Sequence, residues 1–154
     1  MRNLTDQEEK ELARRKAGFD AFLQERMPVL VDFMQALELQ NAADVLQDAE
    51  KFVSPLDVYL KDQTITDDDR VWILTRLGYF IGELLVQKLN GCWLLNENSD
   101  SRTFMRYVVG QFSKIKNTQA MIDPFFVADT YLSEAPGRSL VAILEELLSE
   151  LMNA

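Results

Sequence analysis

The sequence predicts an α+β single domain, mostly helical, with a small antiparallel hairpin or three-stranded sheet at about residues 92–116. That sheet is expected to pack between a buried central helix, 67–90, and two C-terminal helices. Three observations lead there. The composition, 47% hydrophobic and 27% charged with 6 glycines and 4 prolines, is that of a helix-rich globular chain. Apolar residues recur at helical spacing through most of the sequence. After Gly91 the pattern changes to aromatic and β-branched runs around a polar turn cluster. A chain of 154 residues buries roughly 70% of the surface it exposes when unfolded, so one core spanning residues 1–154 is expected.

Each element has its own signal. Thr5-Asp6-Gln7-Glu8 is a capping box, in which a hydroxyl and a carboxylate satisfy the free amides of a helix start. The helix it opens is expected to reach about residue 24. Its first turns are almost wholly charged and its aromatic anchors, Phe19 and Phe22, lie at the far end, so residues 1–11 are expected to fray. Pro28 suits the first turn of a second helix, 29–39, because its ring fixes a helical φ. Asn41 offers a cap for a third, along which Ala42, Val45, Leu46, Ala49 and Phe52 form one stripe. Ser54-Pro55 repeats the cap-plus-proline signal and starts a short helix through Leu60.

Thr66-Asp67-Asp68-Asp69 opens the central helix, which is expected to stop at Gly91, a residue free to take the left-handed conformation that ends helices. From Trp72 to Leu89 its apolar residues cover most of the circumference, the mark of a helix surrounded by other elements. Gly78 and Gly82 stand four apart on it. Each costs about 1 kcal/mol relative to alanine, and close approach of another backbone is the expected return. Cys92-Trp93-Leu94-Leu95 and residues 103–109 then form a hairpin about the polar turn 96–101, with a third strand at 111–116. Asp123-Pro124 starts a helix that breaks at Pro136-Gly137. In the last helix Leu140, Ile143, Leu144, Leu147, Leu148 and Leu151 repeat at one face, expected to be core, opposite Glu145, Glu146 and Glu150.

Charge and composition exclude much. There is no histidine, which removes Ser-His and Cys-His nucleophile pairs, imidazole metal sites and the simplest pH switches. The net charge is −9, and residues 1–70 hold 16 acidic against 9 basic side chains. Such a surface repels phosphate backbones, so no nucleic acid is expected as a partner. The same field speeds association with a basic protein. The most apolar run, 71–86, contains Arg76 and Glu83 and falls short of the roughly 20 apolar residues that span a bilayer. With no apolar leader at the start of the sequence, a cytoplasmic protein without membrane contact is expected.

Few residues carry candidate chemistry. Asp67, Asp68 and Asp69 lack the glycine and terminal glutamate of a calcium loop and are explained by the positive end of a helix dipole. No metal and no cofactor is expected. Cys92 cannot form an internal disulfide and follows the negative end of a helix, so it is expected to be a buried, inert thiol. Trp72, Trp93, Phe104, Phe125 and Phe126 read as core rather than as a ligand cage. Arg102, Arg106, Lys114 and Lys116 make the hairpin locally basic, as a solvated strand face would be. Glu83 stands apart. A carboxylate inside an apolar helix must be paired, neutralised or aimed into a cleft. Arg76, seven residues earlier, and Arg106 and Tyr107 on the hairpin are the expected partners, and the four together form the candidate polar site.

The segment Gly78-Tyr79-Phe80-Ile81-Gly82-Glu83, with Gly91-Cys92-Trp93, Asp123-Pro124 and the helix at Ser139-Leu140, resembles a helix-hairpin-helix arrangement of small bacterial domains. The resemblance covers about residues 70–150. It implies a bacterial cytoplasmic protein and no activity. Two functions are therefore expected in order: a noncatalytic acidic interaction protein, such as an adaptor or an immunity-type inhibitor binding another protein; then a small-molecule binder or modest enzyme using carboxylates around Glu83 with Asp123 or Asp129. The oligomeric state stays open between monomer and homo-oligomer.

Overall fold

A computed structural model of the chain describes residues 2–153. Five helices, two short 3₁₀ turns and a three-stranded antiparallel sheet form one α+β unit. Helix α1, Asp6–Ala36, opens on the expected capping box: Thr5 Oγ1 accepts from the Glu8 amide, and the Glu8 carboxylate accepts from the Thr5 amide. Pro28 does not start a second helix; it lies inside α1. The missing proline donor affects only an exposed turn, and Phe22, Leu30, Phe33 and Met34 keep both sides of that turn seated on the same core. Burial of a continuous stripe outweighs the local cost.

The expected third helix is two 3₁₀ turns, Ala42–Leu46 and Ala49–Phe52. Asn41 is left-handed and makes no side-chain cap. The break between the turns is held by Gln87, whose side chain accepts from the Ala49 amide at 2.7 Å and donates to the Val45 carbonyl at 3.1 Å. Helix α2, Val53–Leu60, follows, and then the central helix α3, Asp67–Leu89. Asn90, not Gly91, takes the left-handed position that ends α3, at φ 52°. Gly91 is needed for space: a Cβ there would meet the Phe112 ring at 2.6 Å.

Strand β1, Cys92–Leu95, pairs with β2, Tyr107–Gly110, which pairs with β3, Met121–Ile122. The residues expected as the third strand, 111–116, are not one. Gln111 has φ 54°, which turns the chain out of the sheet. The amides of Ser113 and Lys114 then donate to the carbonyls of Asn90 and Leu89, satisfying groups that the end of α3 leaves unpaired. Alternation along β1 turns Trp93 inward and so leaves Cys92 exposed, against the expectation of a buried thiol; its Sγ lies 3.2 Å from Gln111 Oε1.

Helix α4, Pro124–Leu132, lies along α3, and α5, Leu140–Asn153, closes mainly on α2; the sheet rests on α3 and α1. Asp57 of α2 ties the last two helices together, since its Oδ1 accepts from the Tyr131 hydroxyl and from the Leu140 amide that opens α5. Burial and the neighbouring Asp57 charge raise the Tyr131 hydroxyl above its ordinary pKa, so it stays a donor. On α5 Leu140, Leu144 and Leu151 are buried, while Ile143, Leu147 and Leu148 are half-buried.

The glycines of α3 face aromatic rings rather than the expected backbone. A Cβ at Gly78 would fall 2.2 Å from the Phe125 ring, and one at Gly82 would fall 2.0 Å from the Trp93 ring. Trp93 cannot retreat, with Phe22 at 5.0 Å and Phe125 at 6.0 Å between centroids. Gly82→Ala is therefore expected to lose about 1–3 kcal/mol through overpacking, in spite of the better helix propensity of alanine. Urea unfolding checks this, and a stabilised variant would show that Trp93 can move. Leu144→Ala is expected to cost about 2–5 kcal/mol and Leu147→Ala clearly less, since only the first leaves a fully enclosed cavity.

Candidate functional site

Glu83 is buried in the middle of α3 and is paired, though with none of its expected partners. Its Oε2 accepts from Arg26 Nη1 of α1 at 2.5 Å. Burial pushes the carboxyl above the usual glutamate range, while the Arg26 guanidinium and a hydrogen bond from Gln87 pull it back. Arg26 Nε is buried without a partner among the described residues, so Glu83 is the acceptor that holds this guanidinium. Arg26 went unnoticed in the sequence because Pro28 made a helix boundary there seem natural. Its signal was present: Phe22, Arg26, Leu30 and Phe33 fall on one stripe of α1, and a cation in such a stripe needs a buried anion.

The other three members of the expected site go elsewhere. The Arg76 guanidinium sits 4.3 Å from the Trp72 ring centroid and donates to the Trp72 carbonyl. Arg106 Nη1 donates to Asp123 Oδ2 at 2.8 Å. The Tyr107 hydroxyl donates to the Arg15 carbonyl at 2.6 Å, and the Arg15 guanidinium covers its ring. Arg76 lies about 10 Å along the axis from Glu83, given a rise of about 1.5 Å per residue, and finds an aromatic face one turn away instead. Tyr107 packs instead on the α1 rings of Phe19 and Phe22.

Each carboxylate proposed for acid–base work is likewise occupied in its own place. Asp123 caps α4 through Oδ1, accepting from the amides of Phe125 and Phe126, and its other oxygen takes Arg106. Asp129 pairs with Arg70. Five well-formed surface grooves, of about 160 to 410 Å³, have none of Glu83, Asp123 or Asp129 in their walls. Among the described residues no three potential ligands converge on a metal position. Asp67, Asp68 and Asp69 instead occupy the first turn of α3, capped by Thr66. Comparison of the chain with known protein families, curated proteins and solved structures finds no match.

A different feature of the surface is open. Trp72 and Phe126, expected in the core, are 40% and 62% exposed. Trp72 stands near the start of α3 and touches Phe33 edge-on at 5.6 Å. With Tyr59 of α2, 45% exposed, it borders a groove of about 180 Å³ whose walls include Phe33, Leu60, Ile65 and Asp69. The groove is framed by the connection from α2 to α3, which the buried Arg138 fixes by donating to the carbonyls of Leu60 and Gln63 at 2.7 and 3.0 Å. Around it Asp62, Asp67 and Asp68 are exposed. No described helix is long and apolar enough to cross a membrane.

The ion pair makes a pH-dependent prediction. A carboxyl that titrates above its unfolded value of about 4.5 keeps its proton longer in the native state, so its contribution to stability falls as pH rises through that interval. Arg26→Met removes the favourable charge and widens the interval. The variant is expected to lose about 3–5 kcal/mol near neutral pH, less near pH 5, and to recover most of the loss when Glu83→Gln is added. Urea unfolding at the two pH values decides; a loss independent of pH would mean that Arg26 acts by packing alone.

Proposed function

We propose that this chain is a noncatalytic acidic interaction protein, an adaptor or an immunity-type inhibitor that binds another, basic protein through its helical first half. The observation that carries this reading is a set of carboxylates left free for a partner. Asp62, Asp67, Asp68 and Asp69 are exposed and form no ion pair among the described residues. They stand beside Val58, Tyr59, Val71 and Trp72, four large apolar side chains left in solvent. Aromatic residues of this kind dominate binding energy at protein interfaces, and the surrounding charge accelerates encounter with an oppositely charged surface. The second reading, an enzyme or small-molecule site around Glu83, finds less support. Its carboxylates are committed to three different arginines, and none of them lines the grooves described above.

Affinity capture from the native cell, with the full chain as bait, tests the reading. The expected result is a basic protein held in fixed stoichiometry and released as salt rises toward about 1 M, where the Debye length shrinks to about 3 Å. Capture of no protein would overturn it, as would retention that is indifferent to salt.

A further inference from the structure

The connection between α2 and α3 adds an observation about the form such a partner takes. Gln63, Thr64 and Ile65, which belong to no helix or strand, line the Trp72 groove. The main-chain N–H and C=O groups of Thr64 and Ile65 make no hydrogen bond among the described residues. These groups are free to bond the main chain of a partner. The opposite wall is aromatic. Arg76 covers part of the Trp72 ring and is not a groove residue, so it fixes that side chain while leaving ring surface toward the groove. Prior fixing of both walls, by Arg76 on one side and Arg138 on the other, lowers the ordering cost of binding.

Size and charge narrow the occupant. At about 180 Å³, and about 30 Å³ per liquid water, the groove has room for about six waters, which suits one large side chain better than a free ligand. Asp69 is in its wall and Asp62, Asp67 and Asp68 are exposed on the neighbouring turns, against Lys61, also exposed, and Arg76, already engaged on Trp72. Arg70 is committed to Asp129. The rim therefore keeps an excess of negative charge.

Building on the interaction-protein reading above, we propose that the groove between α1, α2 and α3 is the docking site for a basic segment of the partner protein. The segment seats one large apolar side chain between Tyr59 and Trp72, bonds the free main chain of Thr64 or Ile65, and sets lysines or arginines against Asp69 and the exposed Asp62, Asp67 and Asp68.

The test is titration of the isotope-labelled full chain with a synthetic peptide in which a leucine is flanked on both sides by lysines, followed through the indole N–H resonances. The Trp72 signal should shift and that of Trp93, 7% exposed, should not. Replacing the leucine by serine, or the lysines by glutamine, should weaken binding at least tenfold. Tyr59→Ala and the pair Asp67→Asn with Asp68→Asn, all exposed positions that the core does not need, should do the same to the chain. Binding that is absent, that leaves Trp72 unmoved, or that survives these changes overturns the proposal. If both variants still hold the partner captured from cells, the groove is wrong and the interaction reading stands; that reading fails only when the parent chain itself captures no partner in a salt-sensitive way.

Discussion

The fit of Trp93 and Phe125 against Gly82 and Gly78 is the constraint on which the rest of the architecture depends. Two aromatic rings lie where two α3 side chains would be, each within 2.2 Å of the position a Cβ would take. The contact draws β1 and α4 onto one face of the central helix and brings the rings of Phe22, Tyr79, Trp93 and Phe125 together. Side chains packed this closely transmit any change in volume to their neighbours, so the position of the sheet, of α4 and of the middle of α1 is set at one place.

Arginine does the long-range bracing around that core. Arg26 joins α1 to α3 through Glu83; Arg70 joins the start of α3 to the end of α4 through Asp129 and the Leu132 carbonyl; Arg106 joins the end of the β1–β2 connection to the start of α4 through Asp123. Arg138, buried, has only carbonyl acceptors, from Leu60, Gln63 and Glu134. The planar guanidinium suits this work because its donors fan out in one plane and can serve several acceptors at once. The acids used in these braces are those that could have served acid–base chemistry. Bracing the fold and forming a reactive pair make opposite demands on a carboxylate, and here the first demand is met.

The surface divides accordingly. Arg138 reaches from the α4–α5 connection to the Leu60 and Gln63 carbonyls and fixes the α2–α3 connection, while the main-chain groups of Thr64 and Ile65 stay without hydrogen bonds among the described residues. Beside it, Trp72 is 40% exposed, with acids on the adjoining turn of α3. The dipole preference for acids at a helix start supplies that charge.

By itself the sequence determined the fold class, the capping box at Thr5, the central and final helices and the first strand, because these follow from local periodicity, cap chemistry and composition. It also marked Glu83 as a residue in need of a partner. Only the tertiary structure decided which partner. Arg26 and Glu83 are 57 residues apart, and although the apolar stripe marks Arg26 as a cation in need of an anion, only the packing of α1 on α3 joins the two. The same holds for Pro28, which long-range burial carries through a helix that local rules would break, and for residues 111–116, drawn out of the sheet by unpaired carbonyls at the end of α3. Trp72 shows the limit most clearly. Its helical phase is that of a core residue, and its exposure depends on where α1 and α2 end, a matter of packing between distant segments that periodicity along one helix does not encode.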